Sequence, residues 1–164
     1  CLTDLMDLSQ AGPELQAKAA DTFPRASATT TRAIEKELKI ALGTDAPAIP
    51  HGRNAKELLA LVDRGMTPIQ ALRAATTVAA DLIDADDLGQ LAPGFHADVI
   101  AVAGDPLADI AATEQVKFVI GIAANGDEHL ALLQQVAGAF LDDASVARLE
   151  AATSVDEVKA ILNA

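Results

Sequence analysis

Apolar and polar positions along the chain change period several times, and each change predicts an element. Pro13 to Ile34 is an alanine-rich amphipathic stretch that reads as helix, with Pro24 expected to break or kink it. "LKIALGT" (Leu38 to Thr44) is a short apolar run closed by glycine, the pattern of a buried strand. Asn54 reads as the N-cap of a helix running to about Arg64 and stopped by Gly65. "MTPIQALRAATTVAADLI" then opens with Thr67 as cap and Pro68 at the first helical position. Its Leu72, Ala75, Ala79 and Leu82 fall on one face of a single helix. A turn at Pro93-Gly94 leads into a strand from Asp98 to Ala103, which Gly104, Asp105 and Pro106 terminate. Val116 to Ala124 is the most hydrophobic strand candidate. A helix follows with Leu130, Leu133, Val136, Ala137 and Phe140 or Leu141 on its stripe. The tail predicts a last helix behind a capping box of Ser154 and Glu157.

Strands alternating with helices predict an α/β class. The expected architecture is a small, mainly parallel sheet from Leu38–Thr44, Asp98–Ala103 and Val116–Ala124, flanked by four or five helices in one compact domain. Residues 1–12 predict no element, and neither an internal repeat nor a disordered linker is evident.

Composition narrows the functional classes. The 164 residues suit one domain, and 51% hydrophobic content suits a globular core. Aromatics make up only 2%, so that core must be aliphatic. A net charge of −12 argues against nucleic acid or an anionic membrane surface as partner. Cys1 is the sole cysteine, which rules out an internal disulfide and predicts a reducing, cytoplasmic setting. No apolar run is long enough to cross a bilayer, and the first twenty residues lack a signal-peptide pattern. A first residue of Cys rather than Met points to a trimmed or excised segment.

Four pieces carry a family resemblance, in order: "KIALGTDA", "HGRNAKELLALVDRGMTPIQALRAATTVAADLI", "LGQLAPGFHADVIAVAGDPL" and "VKFVI". Through them about residues 31–119 resemble the C-terminal part of the amidohydrolase superfamily, its imidazolonepropionase-like and Xaa-Pro dipeptidase-like members above all. The resemblance implies that "GTD" ends the eighth strand of a metal-bearing (β/α)8 barrel. Asp45 then binds a divalent metal, zinc or manganese, and acts as the base that activates bound water. Strand-end placement suits such a group, and a carboxylate beside bound water can take its proton. The segment with Asp98 belongs to a small structural β-domain.

The departures are as informative. The family's HxH pair, bridging lysine or glutamate and two later histidines have no counterparts. The three histidines here are His51, His96 and His129, and none precedes Asp45. One carboxylate does not hold a catalytic zinc ion, for which about three protein ligands are expected. The resemblance therefore implies a hydrolase fragment that is inactive alone, with no metal bound or with a complementing N-terminal fragment. Uncovered apolar surface would alternatively favour a homo-oligomer.

A second resemblance begins at about Val116. "IGIAA", "EHL" and "TSVDEV" are similar, in order, to the C-terminal part of a fructose/mannitol-type enzyme IIA of the bacterial phosphotransferase system, over about residues 116–164. It implies that His129 helps form a phosphorylation site and that His51, in "AIPHG", accepts the phosphate. By wording, the chain divides into an amidohydrolase-like 1–119 and an enzyme IIA-like 120–164, the pattern of a natural, recombined or designed chimera.

Each candidate also has a plain structural reading. Asp45 fits a turn aspartate, His51 a solvated loop residue, and His129 a first-turn helix position that tolerates an anion. His96 reads as exposed. Asp84, Asp86 and Asp87 lack EF-hand spacing and read as a solvated helix end. Gly121 and Gly126 do not make a dinucleotide fingerprint. Three functions remain open: an amide-bond hydrolase fragment, a phosphocarrier, and a non-catalytic or partner-binding module.

Overall fold

A computed structural model describes residues 6, 8, 9, 11–44, 52–122 and 128–163. Its elements are α1 (Pro13–Glu35), α2 (Lys56–Asp63), α3 (Pro68–Ala75), α4 (Thr77–Leu82), β1 (Ala97–Val102), a 3-10 helix (Ile110–Glu114), β2 (Val116–Ile122), α5 (Glu128–Phe140), α6 (Asp143–Ala151) and α7 (Val155–Leu162). The class is α/β and helix-rich. Contacts divide the chain into two compact units: Cys1–Gly89 with Val102–Gln115, and Gln90–Ala101 with Val116–Ala164.

The first unit is built on α2, α3 and the 3-10 helix. Leu58, Ala60, Leu61, Ala71, Ala74 and Ile110 form its buried cluster, with Ile34, Leu42 and Leu72 packed on the margin. Alanines at the α2–α3 contact let the two backbones approach closely, which explains a core so poor in aromatics. Thr67 and Pro68 start α3 as the pattern predicts: the Thr67 N–H and hydroxyl both donate to Gln70 Oε1, at 2.8 Å each.

Three helices in this unit end alike. After α1, α2 and α4 the chain turns through a left-handed residue, Glu37 (φ 54°), Gly65 (φ 110°) and Asp84 (φ 55°). In each case the N–H groups of that residue and of the one after it return to last-turn carbonyls. Leu38 N–H reaches Ala33 O at 3.0 Å, Met66 N–H reaches Leu61 O at 3.1 Å, and Ala85 N–H reaches Ala80 O at 3.0 Å. Only α2 uses glycine for the turn. Glu37→Gly is therefore expected to stabilise the first unit by about 1 kcal/mol, since left-handed backbone costs an L-residue roughly 1–2 kcal/mol. A rise in the urea midpoint at constant slope checks it; an unchanged midpoint means that Glu37 has offsetting contacts.

Several expectations need correction here. α1 runs through Pro24 without a break. The Ala20 carbonyl loses its in-helix donor there, while an Arg25–Asp21 pair at 2.7 Å spans the same turn. The single helix expected after Thr67 is split at Thr76 (φ −122°, ψ −93°). Its buried stripe is Ala71, Ala74 and Ala80, whereas Leu82 is 73% exposed. Asn54 does not cap α2, whose N-cap position is Ala55 in helical conformation.

The largest correction concerns the sheet. Leu38–Thr44, expected as a buried strand, is neither strand nor buried. Its Leu42 N–H donates to the Ala74 carbonyl at the end of α3, at 2.8 Å, in place of a ladder bond. Among the described residues the sheet is a two-stranded β1–β2 pair, and it is antiparallel rather than parallel. Ala103 N–H meets Gln115 O while Asp98 lies beside Gly121, so one strand rises as the other falls. An apolar run becomes a strand only where another strand offers hydrogen bonds along at least one edge, and among the described residues none lies beside Leu38–Thr44.

In the second unit the outer face of β1–β2 carries Ile100 (54% exposed) and Val119 (75% exposed). The other face holds half-buried Val99, Ala101 and Phe118, and the Phe118 ring meets Phe140 of α5 at 5.2 Å between centroids. Phe140 is thus the stripe residue, and Leu141 is 88% exposed. Helices α5, α6 and α7 pack against one another. The turn at Pro93-Gly94 forms as expected, with Phe95 N–H on Ala92 O at 3.1 Å and Gly94 at φ 85°.

The caps of α6 and α7 are acid-sensitive. Asp142 accepts the Ser145 N–H at 2.8 Å, and the hydroxyl and N–H of Ser145 hold its carboxyl below the usual range. Glu157 accepts the Thr153 N–H at 2.7 Å, which lowers its carboxyl likewise, while Ser154 Oγ accepts the Glu157 N–H at 3.3 Å. Both groups have folded-state pKa values below their unfolded ones. Their contribution is present above the unfolded values and fades as pH falls through the folded ones. Protection of the Ser145 and Thr153 amides against exchange, taken relative to the unfolded-chain rate at each pH, is expected to fall as acid is added, and Asp142→Asn with Glu157→Gln should flatten that response.

Candidate functional site

The segment that carries "GTDAPAIPHG" is held at both feet. Upstream, Leu42 is fixed to α3 by its N–H. Downstream, Asn54 Nδ2 donates to Thr44 Oγ1 at 3.0 Å, which joins residues on either side of 45–51. The amide predicted as a helix cap thus serves as a clasp, and Gly52 beside it takes φ 83°. α2 starts straight after this clasp, and its Glu57 is 2% exposed. A carboxylate so buried in the first turn of a helix benefits from the N-terminal N–H groups. Nothing in the sequence pattern singled out Glu57; only its helical position beside Leu58 and Leu61 gave a hint of burial.

Asp45 and His51 lie outside the described residues, and so does the turn before α5. His129 is the second residue of α5, in the first turn where the pattern placed it. The structure therefore gives no distance among Asp45, His51 and His129. His96 is exposed, at the turn before β1. Asp84, Asp86 and Asp87 are exposed where α4 ends. Among the described residues no group of three histidine, cysteine or acidic side chains is placed to hold a metal ion. The described residues thus do not by themselves fit the divalent metal that the family resemblance implies, and no chemical step is routed through one. No described helix is long and apolar enough to cross a membrane.

Comparison with known proteins finds two families, whose matches overlap over residues 99–128. The profile of the phosphoenolpyruvate-dependent sugar phosphotransferase system, EIIA 2, matches residues 99–164. There the chain is 47% identical over 49 residues to the multiphosphoryl transfer protein of Salmonella typhimurium, covering 29% of this chain and 13% of that protein. The ochratoxinase of Aspergillus niger is 42% identical over 97 residues, 57% of this chain and 20% of the relative. The chain thus spans about a fifth or less of the curated relatives it matches. Among solved structures, a Xaa-Pro dipeptidase with bound methionine in its active site superposes with TM-score 0.63 at 43% identity, over 66% of this chain and 27% of that one. An amidohydrolase crystal structure gives TM-score 0.58 at 28% identity, over 67% and 28%. The amidohydrolase profile itself matches residues 10–128, nearly three quarters of the sequence. By that span, with the dipeptidase superposition beneath it, this chain belongs to the amidohydrolase family.

Proposed function

We propose that the chain supplies the strand-end aspartate segment of a metal-dependent hydrolase of amide or peptide C–N bonds, and that it turns over no substrate alone. The profile match over residues 10–128 carries this reading, and the hydrogen bond from Asn54 to Thr44, next to Asp45 in sequence, supports it. Asp45 is the metal ligand and the base, with the remaining ligands and most of the (β/α) barrel contributed by an N-terminal fragment. Zinc or manganese suits a carboxylate with imidazole partners. The Leu38–Thr44 segment, which forms no regular element and exposes Leu38, with the exposed Leu82 nearby, is the surface such a fragment would cover.

The test is hydrolysis of a Xaa-Pro dipeptide by the purified chain with zinc or manganese, alone and then with the N-terminal part of a Xaa-Pro dipeptidase. No turnover alone and measurable turnover on mixing is the expected result. Asp45→Asn should abolish the latter, by 10²-fold or more if the carboxylate is the base. Turnover by the chain alone overturns the inactive half of the reading.

The second profile, over residues 99–164, favours one alternative: a phosphocarrier in which His129 stands beside the phosphate, with His51, upstream of the match, as its acceptor. Acid-labile phosphate on His51 after incubation with phosphorylated carrier protein would establish it, and its complete absence would dismiss it. A chimeric, partner-binding module with neither chemistry predicts that Asp45, His51 and His129 can all be replaced without effect on binding.

A further inference from the structure

One face of α2 meets one face of α1 across a polar groove instead of a packed seam. Its lining includes Ser27 and Thr31 of α1 with Lys56, Leu59 and Asp63 of α2 and Arg64 just beyond, around about 470 Å³. The positions follow helical spacing, i and i+4 on α1 and i, i+3 and i+7 on α2, so the groove is a property of two regular surfaces. That volume lies in the range of small-molecule sites.

The charges in it are unevenly satisfied. Arg64 is fixed as a wall: its Nε donates to Ser27 Oγ at 3.1 Å and its Nη1 to the Ala60 carbonyl at 2.8 Å. Thr31 Oγ1 donates to the Ser27 carbonyl at 3.2 Å. Lys56 is half-buried, and among the described residues its ammonium makes neither a hydrogen bond nor an ion pair. The aliphatic stem of such a lysine can lie along Leu59 while its ammonium stays free to meet an anion. Lys56 and Arg64 stand roughly 12 Å apart along α2 at 1.5 Å per residue. Leu59 gives the floor between them an apolar stretch, and the Asp63 carboxylate stands at the Arg64 end. The lining is thus net positive by one charge inside a chain of net −12.

We propose that the α1–α2 groove binds a small organic monocarboxylate. Its carboxylate meets Lys56, and its short apolar body lies along Leu59. Asp63 at the far end excludes a second negative charge. The site uses neither Asp45 nor His51, so it stands or falls separately from the hydrolase reading.

The experiment is amide chemical-shift titration of the full chain with hexanoate, adipate and inorganic phosphate. Hexanoate should give saturable shifts confined to α1 and α2, with adipate and phosphate weaker. Lys56→Gln should weaken hexanoate binding by about tenfold, the scale of one charge-assisted hydrogen bond. Asp63→Asn should bring adipate up towards hexanoate, an opposite response that a folding defect would not produce. Absence of saturable shifts, equal hexanoate binding by Lys56→Gln, or phosphate binding as tight as hexanoate would each overturn the proposal.

Discussion

Gly89→Ala is expected to destabilise the first unit by about 2–4 kcal/mol, one of the largest effects of any single methyl addition in the chain. Gly89 has φ 84°, and a Cβ built there would lie 2.7 Å from the Thr76 carbonyl oxygen and 2.9 Å from its carbon. These are backbone atoms at the break between α3 and α4, so no side chain can swing away to relieve the contact. Gly104→Ala provides the control. Its φ is 92°, yet the added Cβ would meet only the Ala112 Cβ at an ordinary 3.8 Å. It should cost only the left-handed conformation, roughly 1–2 kcal/mol. Denaturant midpoints for both variants at unchanged slope give the comparison. Equal losses would mean that the α3–α4 break yields, and that Gly89 is kept for conformation alone.

Leu61→Ala should cost about 3 kcal/mol, within the usual range for a buried leucine whose surroundings collapse only in part. Leu61 is 4% exposed and lies in the cluster where α2, α3 and the 3-10 helix meet. Ala60, Ala71 and Ala74 in the same cluster have no side-chain reach to fill the cavity, so any collapse falls to Leu58, Ile110 and the marginal residues such as Met66. Leu82→Ala, at the exposed end of α4, should stay within about 0.5 kcal/mol. The contrast also tests the face assignment. If Leu82→Ala costs as much as Leu61→Ala, then Leu82 is covered in solution, as it would be by a complementing fragment.

Much of the fold could be read from local chemistry. Thr67-Pro68, Gly65, Pro93-Gly94 and Ser154 with Glu157 each mark a boundary that the structure keeps, because caps and turns are decided by neighbouring residues. Strand positions were legible too: β1 and β2 fall within two residues of their expected ends. Their direction was not, because period-two alternation is the same in parallel and antiparallel pairs. The Leu38–Thr44 run failed for a related reason. Its hydrophobicity is that of a strand, but strand formation depends on partners elsewhere in sequence. Likewise, the face of α3 and α4 was misread because Thr76 breaks the helix and rotates the frame, which no spacing rule applied to one continuous helix can show. Asn54 was correctly singled out as a hydrogen-bonding residue at the start of α2 but with the wrong partner, since Thr44 competes for its amide. Family and segment order were legible from wording; the geometry of Asp45, His51 and His129 was not.

The two units share a chain that passes between them three times, at 89/90, 101/102 and 115/116. During synthesis the helices α1 to α4 therefore leave the ribosome before Ile110, a member of the core they surround. The nascent first unit has a gap in its core until the 3-10 helix arrives, and a chaperone that recognises exposed apolar surface has that interval in which to act. Ending the chain at Gly89 would make the interval permanent.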